Sequence, residues 1–133
     1  KGVKDLTLWA GVAYDTEGNH MAHSKVTYEF WASYVMGPST FAGEIAYSDA
    51  GFGAKGYNWL ALYSYAFSEQ VSSAFRLSGE EVKDGPGYVK YTIAPAYKLT
   101  DHLSVRAEVS YQDYSDYVYD SALFFGIQSY FTF

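Results

Sequence analysis

Cysteine is absent from the 133 residues, which suits passage through an oxidising periplasm and equally suits many other locations. Charge is scarce as well, 18 % against the roughly 25 % usual for soluble domains, so contact with something apolar other than a compact core is expected. No apolar run approaches the about 18 residues that a transmembrane helix needs, which excludes helical spanning. A β-barrel stays open, because its strands meet lipid only at every second residue. Basic clusters are missing and the net charge is −6, which argues against a nucleic-acid partner. The chain starts at Lys1 without Met and without a signal-like apolar segment, and so reads as a processed or trimmed product.

Aromatic residues are what the chain has in excess, with fifteen Tyr, nine Phe and three Trp in a length that suits one domain, 1–133. They fall on a period of two. The last stretch, SALFFGIQSYFTF, alternates Leu123, Phe125, Ile127, Phe131 and Phe133 with small or polar residues, the pattern of a strand with one apolar face. Seven similar stretches precede it: 5–15, 23–36, 40–49, 58–67, 71–80, 88–99 and 103–112. The fourth is the least clear, since Leu60 and Leu62 compete with Trp59, Ala61, Tyr63, Tyr65 and Phe67, and the aromatic set is read as outward. Pro95 in the sixth cannot donate to a ladder, so a bulge or a locally open pairing is expected there. Connections are expected to alternate long and short, as in outer-membrane barrels, with long loops outside and short turns on the periplasmic side. The fold class read from this is all-β, an eight-stranded antiparallel up-and-down transmembrane β-barrel whose first and last strands pair and abolish both edges.

With the apolar face outward, the other face carries Lys25, Glu29, Glu44, Arg76, Glu80, Lys90, Arg106 and Glu108, four acids and four bases. Unpaired charges in a closed interior cost several kcal/mol each, so this balance is read as a lumen network. Trp9, Trp31, Phe124 and Tyr130 would help to fill a narrow or plugged lumen. Two aromatic girdles are expected, Tyr14, Tyr28, Tyr47, Tyr91 and Tyr111 near the long loops, and Tyr34, Phe41, Phe67, Tyr97, Phe131 and Phe133 near the short turns. Membrane lipid is then the first partner. The alternative is a soluble, lipocalin-like ligand-binding barrel with its apolar face inside.

An aromatic final residue on an alternating strand resembles the C-terminal signal of bacterial outer-membrane barrels, carried here by Phe131 and Phe133, with Gln128 where glycine is frequent. It implies recognition by outer-membrane assembly machinery. LTLWAGVAY, TYEFWASY, FAGEIAYSDAG, WLALYSYAFSEQVSSAFRLSGEE, YTIAPAYKLTDHLSVRAEVSYQDYSD and FGIQSYFTF together resemble the β-barrel porins of the OmpL-like family. The resemblance implies an outer-membrane channel for small solutes. Members of that family usually have more strands than eight, which leaves either a small barrel with a porin-like sequence or the C-terminal portion of a larger one; separately, the chain could be an interaction partner inside a larger membrane complex, with its outward face docked on protein.

Candidate chemistry is thin. His20 and His23 form an HxxH pair at a loop-to-strand junction, where residues three apart point to opposite faces, so no metal is expected. His102 follows Asp101 in a short turn without a serine or cysteine nucleophile in a recognisable setting. Asp113, Asp116 and Asp120 could imitate a rim site, but spacing alone does not bring them together, so no enzyme activity and no cofactor are expected. Asp15, Glu17, Asp49, Glu81, Asp84, Asp113, Asp116 and Asp120, against Lys55 and Lys83, would make an acidic mouth that attracts cations, or simply solvated loops. Tyr114, Tyr117 and Tyr119 would form an adhesive tip or extend a girdle.

Overall fold

The computed structural model describes residues 5–15, 25–49, 55–115 and 120–132. Eight strands follow one another: β1 (Leu6–Asp15), β2 (Lys25–Met36), β3 (Ser39–Asp49), β4 (Lys55–Ala66), β5 (Val71–Val82), β6 (Gly87–Lys98), β7 (Leu103–Ser115) and β8 (Ser121–Phe131). They form one sheet in chain order, and every neighbouring pair is antiparallel. The all-β, eight-stranded, up-and-down antiparallel fold expected from the alternation is therefore present.

Register follows from the turns. Gly37 has φ +57° and precedes Pro38, so the two-residue turn carries its glycine at the first central position, the requirement of a type II′ hairpin, and Met36 pairs with Ser39. The next two turns on that side share another device. The Ser68 hydroxyl accepts from the backbone N–H of Gln70 and Val71, at 3.2 and 3.0 Å, and the Thr100 hydroxyl accepts from His102 and Leu103 at the same distances. A hydroxyl held by two successive amides satisfies donors that the tight turn leaves without a ladder partner. Backbone bonds from Ala66 to Pro38, from Lys98 to Gln70 and from Thr132 to His102 then stitch each turn to the next strand.

At Pro95 the expected interruption is visible. The β6–β7 ladder runs through Ile93↔Val109, skips two rungs and resumes at Ala96↔Arg106 in unchanged register, which is a locally open pairing and not a bulge. On the β5 side Pro95 still pairs with Ser73. A second irregularity is filled instead of open: Trp59 of β4 lies over Gly79 of β5, its direct partner, so closely that a Cβ on Gly79 would sit 2.8 Å from the indole.

Two expectations need correcting. Closure does not occur among the described residues: β1 pairs only with β2, β8 pairs only with β7, and the two edge strands share no contact there. A period of two fixes which side of a strand faces which way, but the radius of the sheet is set by shear and tilt, which alternation does not encode. The long-short rhythm of the connections also weakens in the second half. β5 continues through Glu81 and Val82 and β7 through Asp113, Tyr114 and Ser115, so the connection at 83–86 is no longer than the turns at 67–70 and 99–102.

Candidate functional site

The polar face of the sheet has a floor of small residues and a few long side chains arched over it. Ser110 is 1 % exposed, and Thr92, Ala94 and Ala46 are buried beside or beneath longer neighbours. All eight charged residues singled out from the sequence lie on this face, because the register keeps their parity: one row runs Gly11, Glu29, Ala46, Asn58, Glu80, Tyr88 and Tyr114, and the next runs Trp9, Trp31, Glu44, Leu60, Ser78, Lys90 and Gln112.

Arg76 and Glu108 are brought together although β6 stands between their strands. Arg76 Nη2 reaches Glu108 Oε1 at 3.0 Å, and both side chains are about one-third exposed. Ser110 Oγ donates to the same carboxylate oxygen at 3.1 Å and lies 2.9 Å from Thr92 Oγ1. Since the single Ser110 proton is spent on Glu108, Thr92 is the donor to Ser110. Three strands are thereby joined on the polar face beside the rungs that Pro95 leaves open.

Two of the other three bases, Lys90 and Arg106, lean towards β8. Lys90 Nζ sits 5.1 Å from the centre of the Phe124 ring, across β7, and Arg106 lies 5.2 Å from that of Tyr130, whose hydroxyl donates to Gln128 Oε1 at 2.6 Å. Cations over ring faces at this range are attracted by the ring quadrupole. Among the described residues Arg76–Glu108 is the one ion pair within the set of eight; Lys25, Glu29, Glu44 and Glu80 are not joined into a packed network with it. A hollow of about 280 Å³ on this face is lined by Glu44, Glu80, Arg76 and Lys90 with Asn58 and Ser78, two acids facing two bases.

Much of the apolar face is exposed, although Trp59, Leu77 and Val105 are half-buried and Ser39 and Gly79 are buried on it. Tyr28, Tyr47 and Tyr57 share a row near one end, and Tyr34, Phe41, Tyr63 and Phe75 share a row towards the other, with the Phe41 and Tyr63 rings 5.1 Å apart. Tyr14, Tyr91 and Tyr111 stand on the same face, as do Tyr97 and Phe131 towards the turns, while Phe67 follows β4 and its ring meets that of Tyr65. A trough of about 760 Å³ on this face is lined almost wholly by apolar atoms, among them Phe41, Ala61, Phe75, Leu77 and Tyr91.

The remaining candidates separate. His102 turns its Nδ1 to the Thr132 carbonyl at 3.0 Å, holding the turn to the end of β8. Asp101 takes Lys98 Nζ at 2.8 Å, and that hydrogen bond, followed by the lysine charge, holds its carboxyl below the usual range. Asp49 pairs with Lys55 at 2.7 Å, and the Tyr57 hydroxyl donates to Glu81, so part of the expected acidic mouth is tied down at strand ends. A hollow of about 690 Å³ there is lined by Glu80, Glu81, Asp84, Asp113 and Tyr114 among others. Glu17, His20, His23, Asp116, Tyr117, Tyr119 and Phe133 lie outside the described residues. Among the described residues no three His, Cys, Asp or Glu side chains gather in a way that could hold a metal ion.

The Thr92–Ser110–Glu108 relay was missed by sequence reading, yet a signal for it exists. A turn over 99–102 sets residue 92 opposite residue 110, and two small hydroxyls face to face beneath an Arg–Glu crossing follow from that register.

No family model matches the chain, and no curated protein matches it. Among solved structures it is similar to a loop L8 deletion mutant of OmpT, an outer membrane protein of Vibrio cholerae, with TM-score 0.71 and 16 % identity. The likeness takes in 98 % of this chain and 50 % of that one, so the chain spans half the length of the structure it resembles. At that identity the likeness is one of fold: eight successive antiparallel strands arranged as in the wall of an outer-membrane β-barrel protein.

Proposed function

We propose that this chain forms wall strands of a bacterial outer-membrane β-barrel, non-enzymatic and porin-like, with the apolar face towards lipid and the polar face lining an aqueous lumen that passes small solutes and ions. The observation that carries the reading is the division of the sheet. One face presents Phe30, Ile45, Phe75, Tyr91, Phe125 and Ile127 without cover, far more contiguous apolar surface than a soluble monomer leaves in water. The other keeps its charges above a floor of small residues. Because the edges stay apart and only two of the eight charges pair with each other among the described residues, the lumen is read as wider than a plugged eight-strand interior, the strands being part of a larger barrel. Phe131, with Phe133, is proposed as the feature that assembly machinery reads.

The test is current across a planar bilayer after insertion from detergent. Discrete, uniform steps are expected from the complete barrel; a folded, inserted protein that stays silent overturns solute passage. One observation favours a second reading, a soluble ligand barrel with the apolar face inside: the apolar trough, which is large enough for a ligand of moderate size. Cooperative folding in water without detergent decides for it.

A further inference from the structure

Aromatic rings on the polar face differ in what the chain sets beside them. On the β8 side each has a cation of the chain: Lys90 Nζ stands 5.1 Å from the centre of the Phe124 ring, and Arg106 stands 5.2 Å from that of Tyr130. On the β1 side the rings are the indoles of Trp9 and Trp31, direct partners across β1 and β2. Among the described residues no Lys or Arg lies over either. Indole attracts a cation more strongly than the rings of Phe or Tyr do, so the chain's own cations sit on the weaker rings.

The local backbone turns Trp9 into a platform. Its six-membered ring folds over Gly11 on the same strand, so that a Cβ there would sit 2.7 Å from Trp9 Cζ2. Trp9 is 49 % exposed, and Trp31 is half-buried beside it. Glu29 is the direct partner of Gly11, which brings its carboxylate next to the Trp9 ring, and Glu44 is the direct partner of Trp31 on β3. With adjacent strands about 4.8 Å apart, both acids can reach an ion seated over the indoles. Both are half-buried, and neither has a hydrogen bond or an ion pair among the described residues. Arg76 and Lys90 share a hollow with Glu44 but do not pair with it, and Lys25 stands at the far end of β2, opposite Asp15.

We infer that, in the water-filled lumen of the porin-like reading above, on which this rests, Trp9, Trp31 and Glu29, with Glu44 at the far side, bind small organic cations of the quaternary ammonium class as solutes of the channel. A quaternary ammonium spreads its charge over methyl groups and offers no hydrogen-bond donor. Ring faces therefore satisfy it, and a carboxylate nearby supplies opposite charge without a directional bond. A divalent metal ion fits worse, since it needs about six oxygen ligands and the site offers two carboxylates. An anionic solute is repelled by both acids.

The test is calorimetric titration of choline into the full polypeptide folded in detergent, compared with its uncharged isostere, in which a tert-butyl group replaces trimethylammonium. Choline is expected to bind, and the isostere to bind at least about tenfold more weakly. Trp31→Leu should weaken choline binding about tenfold, and Glu29→Gln about fivefold. Migration on cold gels reports whether each variant is folded; Glu29→Gln, which keeps the side-chain shape, carries the test where loss of an indole unfolds the barrel. Equal binding of the isostere, unchanged affinity in Glu29→Gln, or a folded protein that takes no choline overturns the inference. Binding needs no current, so the site and solute passage fail separately. Choline held by a barrel that stays silent in a planar bilayer fails passage, and current from a barrel that takes no choline fails the site.

Discussion

The centre of the sheet and its two edges are built from the same alternation but end in different states. In β5–β7 the polar face is knitted by Arg76, Glu108, Ser110 and Thr92, and Ser110 is shut away from solvent. In β8 nearly every side chain is exposed, and the two bases that reach towards it meet the Phe124 and Tyr130 rings, with one long bond from Arg106 to the Tyr130 hydroxyl. The difference shows that pairing on both sides, not the residue pattern within a strand, is what turns an amphipathic strand into a settled one.

The largest effect is expected from a pair of glycines. In the 133-residue chain refolded alone in detergent, Gly79→Val forces a branched side chain into the Trp59 indole, and overpacking of this kind costs about 1–3 kcal/mol. Gly126→Val in the same preparation meets open space and is expected to change little. Urea titration of the folded band on cold gels measures both. Equal losses would mean that the edge is already covered in the isolated chain.

Next comes the brace. Glu108→Gln leaves Arg76 without its carboxylate and deprives Ser110 of a charged acceptor, a loss of about 1–2 kcal/mol for a charge-assisted bond at a half-buried site. Arg106→Gln, nearer the edge, removes only a contact with the Tyr130 ring and a long bond to its hydroxyl, and should cost about 0.5 kcal/mol. A double-mutant cycle of Arg76 with Glu108 is expected to return coupling near 1 kcal/mol, and none for Arg76 with Arg106. Coupling of the same size in both cycles would mean that the bases act through a general field.

Smaller still is the effect of closing the open rungs. Pro95→Ala restores a donor opposite the Ala107 region, where the β6–β7 ladder now lapses between Ile93 and Ala96. Hydrogen exchange at Ala107 and Glu108 should slow, with a gain in stability no greater than about 1 kcal/mol, the net worth of one hydrogen bond. Exchange along β8 should stay fast, because its outer side gains nothing. If exchange at Ala107 does not change, the gap comes from the crossing of Arg76 over β6 and not from the missing N–H.

These contrasts also mark how far the sequence could be read. Strand positions, faces and the interruption at Pro95 were legible because each is local: two-residue alternation in Val26–Met36, a Gly-Pro turn at 37–38, a residue without an N–H. Closure was not legible. The greasy alternation of β8 serves equally well beside β1 in a ring of eight and beside some other strand in a wider one, and only curvature separates them. The Arg76–Glu108 pair was half legible: both residues could be assigned to one face, but their meeting across β6 depends on Thr92 being short enough to be crossed. Loop limits were misjudged where Glu81 and Asp113 look like solvated acids yet sit in strands, and Tyr57 donating to Glu81 supplies a partner that composition cannot announce.

The smallest effect belongs to the turn side, at Asp101. Lys98 holds this carboxyl below its ordinary value by hydrogen bond first and charge second. A carboxyl whose folded value is depressed contributes stability above the unfolded value, about 3.9, and loses it as pH falls through the folded one. Asp101→Asn should therefore leave unfolding near pH 7 lowered only slightly, as expected of an exposed pair, and should flatten the acid limb of the stability curve below about pH 4. The mirror position, Glu69 in the 67–70 turn, has the same hydroxyl-capped backbone but no ion pair among the described residues, so Glu69→Gln should leave the acid limb as it is. A matching change from both variants would trace acid sensitivity to the net charge of the turn side, and a change from Asp101 alone would trace it to one lysine at the end of β6.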